Sequence, residues 1–293
     1  MEPAWFCQTL IIVMVLCFGL SVGSFVNVVI YRLPRDDLAI SKPKRSFCPL
    51  CGYQIPWYDN LPLLSWVLLR GRCRSCRGPI PVRYVLVELL GCLLSFFIYQ
   101  TEGLTARYFF YFYFSMCLTA ITFIDLELMV IPDLLIWPTA VLGAVNAALT
   151  PYPPLAGATL WRFLREGGWN DWAISLFASI AAFILGYLSL KALSVIYKLW
   201  RGHKGLGDGD PPLLAVIAMY LGLPAIAPIL LLSSMVALIS VVALLSAGRF
   251  QKQGLALKAI PFGPFLSLAA LIWLFFGQKF LTWYFSLLSL PQS

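Results

Sequence analysis

Long apolar runs constrain this chain more than any other feature of its sequence. Seven of the eight runs contain no charged residue, and they cover residues 10–30, 84–99, 108–124, 134–149, 172–190, 211–223, 225–248 and 260–276. The hydrocarbon core of a bilayer is about 30 Å thick and is crossed by roughly 20 helical residues. The pattern therefore predicts an all-α polytopic membrane protein with about eight transmembrane helices.

The composition supports the same fold class. The chain is 60% hydrophobic and only 12% charged, whereas soluble domains are about 25% charged. A soluble protein this apolar would expose surfaces that aggregate. The composition excludes an ordinary soluble enzyme, a disordered chain and a nucleic-acid binder built on a basic surface, so the lipid bilayer is the expected partner and nucleic acid is not.

Residues 32–83 differ from the rest of the chain. They hold ten of the 21 Lys and Arg residues and four of the eight cysteines. This composition predicts a small polar domain inserted between the first and second spans. The expected organisation is a first transmembrane span over residues 1–31, the polar domain over 32–83 and a seven-span domain over 84–293.

The basic residues also predict an orientation. In membrane proteins Lys and Arg mark the cytoplasmic side. If residues 32–83 are cytoplasmic, eight spans place 17 of the 21 basic residues on that side, and the remaining four lie outside: Arg107, Arg162, Arg165 and Lys279. We therefore expect a cytoplasmic polar domain with both termini on the outer, periplasmic side.

Four cysteines in the polar domain form two CxxC pairs with 21 residues between them: Cys48, Cys51, Cys73 and Cys76. Two such pairs can supply the four thiolates of one tetrahedral zinc site, and a closed four-thiolate shell indicates a structural metal. Two disulfides or four unused thiols are the alternatives, and a reducing cytoplasm argues against disulfides. Gly52 and Gly78 follow the two pairs, where tight turns need backbone freedom.

Several carboxylates stand where the apolar runs begin or end. Asp125 follows the third run, Asp133 precedes the fourth, and Asp208 and Asp210 lie in the sequence GLGDGD before a short run. Carboxylates at a bilayer edge are costly and are functional candidates. Helix capping would explain Asp133. It explains Asp125 poorly, because a negative charge is unfavourable near a helix C-terminus.

Two such carboxylates can hydrolyse a peptide bond if they meet over one water. Like charges at that distance favour sharing a single proton, so one carboxylate can take a proton from water while the other polarises the carbonyl and protonates the leaving amine. A transporter or assembly scaffold that uses the carboxylates for proton or cation passage is the alternative. The single histidine, His203, excludes a centre with several histidine ligands.

Four sequence segments together resemble one known family. They are GSFVNVVIYRLP from Gly23, the cysteine-bearing segment Cys48–Cys76, FIDLELMVIPD from Phe123, and GLGDGDPPLLA from Gly205. The chain resembles the type IV prepilin peptidases, which are bifunctional leader peptidases and N-methyltransferases of bacterial pilus and type II secretion systems. The resemblance runs over most of the chain.

The resemblance implies which two aspartates are catalytic. The motif FIDLELMVIPD places one role on Asp125. The GxGD motif can end at Asp208 or at Asp210, and the following Leu-Leu-Ala aligns best when the second catalytic residue is Asp210, with Asp208 as the second choice. The family usually carries a Lys two residues after this aspartate, where this chain has Pro212.

The resemblance also implies substrate, location and cofactors. It implies removal of the leader of a type IV prepilin or pseudopilin at the cytoplasmic face of the bacterial inner membrane. The new N-terminal residue is then methylated with S-adenosylmethionine, and a peptidase without methylation is a third hypothesis. No motif locates the methyl-donor pocket. Glu88 either pairs with a basic group such as Arg83 or lines that pocket, and Asp59 and Asn60 either order the polar domain or form a site.

Overall fold

A computed structural model describes residues 4–35, 38–151, 164–202, 205–246 and 261–288. In these ranges most residues are helical, residues 33–82 consist largely of turns and irregular backbone, and only isolated bridges pair extended backbone. The helices are α1 (Ala4–Arg32), α2 (Leu64–Leu68), α3 (Arg83–Glu102), α4 (Ala106–Leu128), α5 (Asp133–Leu149), α6 (Asp171–Arg201), α7 (Asp210–Leu221), α8 (Ile226–Ser246) and α9 (Gly263–Leu288). The chain divides into two compact units, Met1–Ile124 and Asp125–Ser293, here called unit 1 and unit 2.

Unit 1 is built on the close packing of α1 against α3. A Cβ atom added to Gly19 would lie 2.5 Å from the carbonyl oxygen of Gly91, and the reverse distance is also 2.5 Å. Only glycine permits such an approach, because any side chain would overlap the facing backbone. Gly23 repeats the contact one turn later against the backbone of Glu88.

Polar bonds fix the register of these two helices. Ser95 donates from Oγ to the carbonyl of Val15 at 2.8 Å. Near the other end, Asn27 donates from Nδ2 to the carbonyl of Tyr84 at 3.0 Å. Residues early in α1 therefore face residues late in α3, so the helices are antiparallel and the polar segment between them connects their adjacent ends.

Unit 2 is organised around α7. Every residue from Leu213 to Ala218 is at most 1% exposed. Gly186 of α6 brings that helix close enough that an added Cβ would lie 2.9 Å from the Ala218 side chain, and Ser179 of α6 donates to the Met219 carbonyl at 2.8 Å. A helix buried on all sides has little freedom to move, so its first residue, Asp210, has a defined position.

Helix α6 is longer than the apolar run that predicts it. The run covers residues 172–190, whereas the helix continues to Arg201. The added turns carry Lys191, Lys198 and Arg201. Backbone hydrogen bonding continues past the apolar run, so hydropathy underestimates the length of a helix whose last turns carry basic residues.

Six of the described helices are long and apolar enough to cross a membrane, namely α1, α3, α4, α6, α8 and α9. Two further apolar helices are shorter, with 17 residues in α5 and 12 in α7. At 1.5 Å per residue, α7 is about 18 Å long. The mostly helical membrane fold is thus confirmed, whereas the number of eight spans stays a prediction.

The packing of α1 against α3 predicts a strong effect of side-chain size. Gly19→Leu should lower the free energy of unfolding by about 1–3 kcal/mol, because the added atoms overlap the Gly91 backbone. Thermal unfolding of the purified protein in detergent measures this. The control is Ser21→Leu on the exposed side of α1, which should unfold like the wild type. Equal stability of the two variants would contradict the close contact.

Candidate active site and metal centre

Asp125 lies in the last turn of α4 and is only 5% exposed. The sequence predicted it at the helix end, and the helix continues for three residues to Leu128. Met129 then adopts a left-handed conformation with φ 56° and donates its N–H to the Asp125 carbonyl at 2.9 Å. This turn ends the helix and leaves the Asp125 carboxylate inside unit 2.

Asp210 is the first residue of α7 and is 4% exposed. The Gly207 N–H donates to its Oδ2 at 3.0 Å. Pro211 and Pro212 occupy the first turn of the helix, where the missing N–H groups have no helical partner to lose. Asp208 lies in the preceding turn and is exposed, so the two candidates for the second aspartate have different surroundings.

The two buried carboxylates belong to one neighbourhood of unit 2. Ile131 lies beside both aspartates' neighbours. It is 2.8 Å from a Cβ built on Gly209, which precedes Asp210, and 3.2 Å from one built on Gly263, which contacts Asp125. Asp133, the third predicted edge carboxylate, is exposed at the start of α5.

Gly263, at the start of α9, holds the Asp125 carboxylate. Its backbone N–H hydrogen-bonds to that carboxylate, and a Cβ added at this position would lie 2.5 Å from Oδ2. Each buried carboxylate is therefore held by the backbone N–H of a glycine, and each keeps lone pairs for a water or a substrate. The sequence analysis missed Gly263 and Ile131. The Gly-Pro sequence at the start of the last apolar run is the only local sign of Gly263.

Four thiols of the polar domain form one cluster: Cys48, Cys51, Cys73 and Cys76. Their sulfur atoms all lie within 4.8 Å of one another, and Cys48 and Cys76 are separated by 3.9 Å. Zinc bound tetrahedrally at about 2.3 Å from each thiolate requires sulfur atoms about 3.8 Å apart. The cluster therefore fits a zinc ion.

Two similar turns present these sulfur atoms. The Cys48 N–H donates to the Tyr53 carbonyl at 2.9 Å, and the Cys73 N–H donates to the Gly78 carbonyl at 2.9 Å. Each CxxC pair thus sits in a small closed loop of the same size.

The glycines beside these turns have different roles. Gly52 has φ 71° and supplies the left-handed residue of the first turn, as predicted. In the second turn Arg77 takes this conformation with φ 55°, so the prediction for Gly78 is wrong. A Cβ added at Gly78 would lie 2.5 Å from the end of the Leu50 side chain, which is exposed and can move aside.

The four thiols cannot all ionise easily without a cation. The N–H of Cys76, followed by that of Ser75, lowers the pKa of Cys73 to about 7. At Cys76 the Gly78 N–H lowers the pKa, but burial and the neighbouring thiols outweigh it and raise the pKa to about 11. A bound dication supplies the positive charge that favours four thiolates over thiols.

Asp59 orders the polar domain. Both of its oxygens accept from the Arg74 guanidinium at 2.6 Å, and these hydrogen bonds hold the pKa of Asp59 below its usual value. Asn60 donates its N–H to the Trp57 carbonyl at 3.1 Å and ends the same short turn. The ion pair ties the segment between the cysteine pairs to the second of them.

A cavity of about 350 Å³ lies in unit 1 and is lined by α1, the polar domain and the start of α3. Glu88 lines it and is 7% exposed. Its Oε2 accepts the Leu63 N–H at 2.8 Å, with Ser24 beside it. The partners of Glu88 are thus neutral groups, and one of them belongs to the polar domain. Pairing with a basic group was one of the two predictions for Glu88.

The cluster geometry predicts loss of metal from single cysteine variants. Cys73→Ser should reduce bound zinc from about one ion per chain to almost none, because three thiolates bind zinc far more weakly than four. Metal analysis of the purified protein measures this. Cys7→Ser, which changes an exposed thiol outside the cluster, should keep its zinc. Unchanged zinc in Cys73→Ser would exclude the cluster as the metal site.

Two families of known sequences match successive parts of the chain. Residues 17–101 match the Bacterial Peptidase A24 N-terminal domain, and residues 112–242 match the Type IV leader peptidase family. The first match contains all four clustered cysteines, and the second contains Asp125 and Asp210. No solved structure matches the chain significantly.

Individual relatives match over nearly their whole length. The chain is 37% identical to the prepilin leader peptidase/N-methyltransferase of Aeromonas hydrophila, with 92% of each chain covered. It is 32% identical to the protein of the same name from Dichelobacter nodosus, over 89% of this chain and 90% of that one. It is also 32% identical to that from Pseudomonas putida, over 95% and 93%. The resemblance seen in the sequence is confirmed, and the chain is a multi-pass membrane protein that belongs to the type IV leader peptidase family.

Proposed function

We propose that this protein removes the leader peptide of type IV prepilins or pseudopilins by aspartic catalysis and then methylates the new N-terminal residue. The observation that carries the peptidase part is the pair of buried carboxylates, Asp125 and Asp210. Each is held by one glycine N–H, and Ile131 lies beside both Gly209, next to Asp210, and Gly263, which contacts Asp125. Relatives that align over nine-tenths of the chain are named for the same two activities.

Asp125 and Asp210 divide the work of hydrolysis. With one proton between them, the ionised carboxylate takes a proton from a water molecule as that water attacks the scissile carbonyl. The protonated carboxylic acid donates a hydrogen bond to the carbonyl oxygen. When the C–N bond breaks, the leaving amine takes a proton from the pair, which restores the starting state.

The surroundings of the pair favour this chemistry. Both side chains are at most 5% exposed, so bulk water does not weaken their hydrogen bonds to a bound peptide. The hydrogen bond from the Gly207 N–H fixes one side of the Asp210 carboxylate, and that from the Gly263 N–H fixes one side of the Asp125 carboxylate. The remaining lone pairs are left for the substrate. Asp210 rather than Asp208 is our choice for the second residue because Asp208 is exposed.

The proposed topology follows the basic residues and the helix lengths. Helices α5 and α7 complete eight spans, with residues 1–31 as the first span, 32–83 as a cytoplasmic zinc domain and 84–293 as the peptidase domain. Both termini are then periplasmic. At 12 residues α7 is short for a full crossing, so Asp210 at its start lies below the membrane surface yet within reach of the cytoplasm.

Two bound groups complete the proposal. Zinc is held by the four clustered cysteines, which leave it no open position, so it stabilises the polar domain and takes no part in the reaction. S-adenosylmethionine supplies the methyl group: the amine nitrogen gains the methyl and loses one proton as the sulfonium bond breaks.

Neutral replacements of the two aspartates should abolish leader removal. Asp125→Asn and Asp210→Asn should each reduce the rate by about 10³-fold or more, because an amide neither accepts nor donates the required proton. The assay incubates the purified enzyme with a purified prepilin and S-adenosylmethionine and follows intact mass. Both variants should unfold at the wild-type temperature.

Matched variants give the controls for this pair. Asp133→Asn, an exposed carboxylate at the next helix start, should process the prepilin at the wild-type rate. Loss of processing in Asp208→Asn with retention in Asp210→Asn would move the second role to Asp208. Retained processing in both Asp125→Asn and Asp210→Asn would defeat the aspartic mechanism and favour a scaffold or transporter.

Substitution of Gly263 should also lower the rate of leader removal, because this residue contacts the Asp125 carboxylate. In Gly263→Ala the new methyl lies 2.5 Å from Asp125 Oδ2 and must displace that carboxylate. A displacement of about 1 Å can cost about 10²-fold in rate, and the same prepilin assay measures it. Leu268→Ala, on an exposed position of the same helix, is the control. Wild-type processing by Gly263→Ala would show that this contact does not position Asp125.

A further inference from the structure

We propose that an open groove on α5 receives the apolar segment of the substrate that follows the scissile bond. The inference rests on the proposed function, since it names the surface by which the enzyme recognises the protein that it cleaves. The groove has a volume of about 610 Å³ and lies within unit 2. Six residues of α5 line it: Asp133, Leu134, Trp137, Pro138, Val141 and Leu142.

Helix α5 has one buried face and one exposed face. On the buried face, a Cβ added at Gly143 would lie 2.8 Å from the Tyr220 ring of α7. The opposite face exposes apolar side chains at intervals of three or four residues, which form a continuous stripe on a helix: Leu134, Trp137, Val141, Val145 and Leu149. The stripe runs the length of a helix of 17 residues, which is about 26 Å. A second apolar helix can therefore lie along it.

The stripe begins beside the candidate catalytic carboxylates. Ile131 lies against Gly209 and Gly263, the neighbours of the two aspartates, and Asp133 opens the groove two residues later. In the proposed topology α5 runs outward from the inner boundary of the membrane. A substrate cut at the cytoplasmic face continues outward after the cut, so the groove meets the segment that follows the scissile bond.

Pro138 leaves an acceptor in the wall of the groove. It stands inside α5 and has no N–H, so the Leu134 carbonyl lacks its α-helical donor. Backbone groups at membrane depth need partners, so the apolar segment of the substrate is itself a helix. The first N–H groups of any helix have no acceptor within that helix. The Leu134 carbonyl, one residue from the mouth of the groove, can accept from one of them.

Lipid and a second copy of this chain are the other occupants that suit an exposed apolar face. An acyl chain supplies no N–H for the Leu134 carbonyl. A second copy seated on α5 would cover the surface that leads to the two aspartates. The substrate fits best because it alone must extend from the carboxylates into the membrane.

The first test compares two substrates of the full-length purified enzyme. One is a complete prepilin, and the other is a short peptide that ends a few residues after the scissile bond and cannot reach Trp137. Trp137→Ala removes an exposed aromatic anchor and should raise the KM for the prepilin about tenfold with little change in kcat, because it removes binding that substrate and transition state share. The short peptide should be cleaved with unchanged kcat/KM.

A matched control stands on α6. Trp172 is 52% exposed, against 56% for Trp137, so Trp172→Ala makes the same change on another exposed helix face and should leave the KM for the prepilin unchanged. Three results would overturn the docking site: an unchanged KM in Trp137→Ala, an equal rise in Trp172→Ala, or an equal loss for the short peptide, which would place the effect at the carboxylates.

A second measurement identifies the occupant directly. A photoreactive benzophenone amino acid in place of Val141 should crosslink to the apolar segment of the prepilin in membranes that contain both proteins. The same amino acid in place of Phe177, on the exposed face of α6, should not. Adducts at position 141 with lipid alone, or with a second copy of this chain, would overturn the proposal.

The outcomes separate this inference from the proposed function. If the wild-type enzyme cleaves neither the prepilin nor the short peptide, the proposed function fails and the docking site fails with it. If the wild-type enzyme cleaves both while Trp137→Ala keeps the wild-type KM for the prepilin, only the docking site is wrong.

Discussion

Close approach of backbone to backbone is the constraint on which the rest of this structure depends. In unit 1 Gly19 and Gly91 allow α1 and α3 to meet, and in unit 2 Gly186 brings α6 onto α7. Helices in lipid gain nothing from excluding water, so tight packing at small residues is what joins them. Glycine also lets backbone lie directly against the two aspartates: Gly207 donates to Asp210, and a Cβ added to Gly263 would lie 2.5 Å from Asp125 Oδ2.

This explains how so apolar a molecule can hold two desolvated carboxylates. A charged group in a membrane protein needs polar partners, yet a Lys or Arg partner would fix the charge and remove the acid that hydrolysis requires. A glycine N–H partly stabilises the carboxylate and leaves it free to exchange a proton. In the proposed mechanism Gly207 and Gly263 therefore act as supports that do not compete with the reaction.

Sequence reasoning succeeded where the signal is local. A run of apolar residues predicts a helix, and four cysteines in two CxxC pairs predict a cluster, because the determining residues are close in the chain. The same reasoning named Asp125 and Asp210 as catalytic; both are buried, and their catalytic role stays a proposal. It failed at Arg77, which takes the left-handed position that Gly78 was expected to fill, because the backbone of the cysteine turn outweighs the preference of a single residue.

Sequence reasoning did not predict contacts between residues that are far apart in the chain. Gly263 stands 138 positions after the aspartate that it contacts, and its neighbours in the sequence do not predict that contact. Asn27 and Glu88 lie in different helices on either side of the polar domain. The sequence singled out Glu88 as a possible residue of the methyl-donor pocket, but it gave no reason to place Asn27 in the same cavity. The antiparallel packing of α1 and α3 brings both side chains to one cavity.

The cysteine cluster and the cavity are parts of one construction. Cys48 and Cys73 line the cavity as well as belonging to the cluster, and Asp59, which Arg74 ties to the second cysteine pair, lines it too. A metal with a closed shell has no chemistry to offer a substrate, but it fixes the backbone around its ligands. In the function proposed here, zinc therefore stabilises the polar domain and one wall of this cavity, and it takes no part in the chemistry of the aspartates.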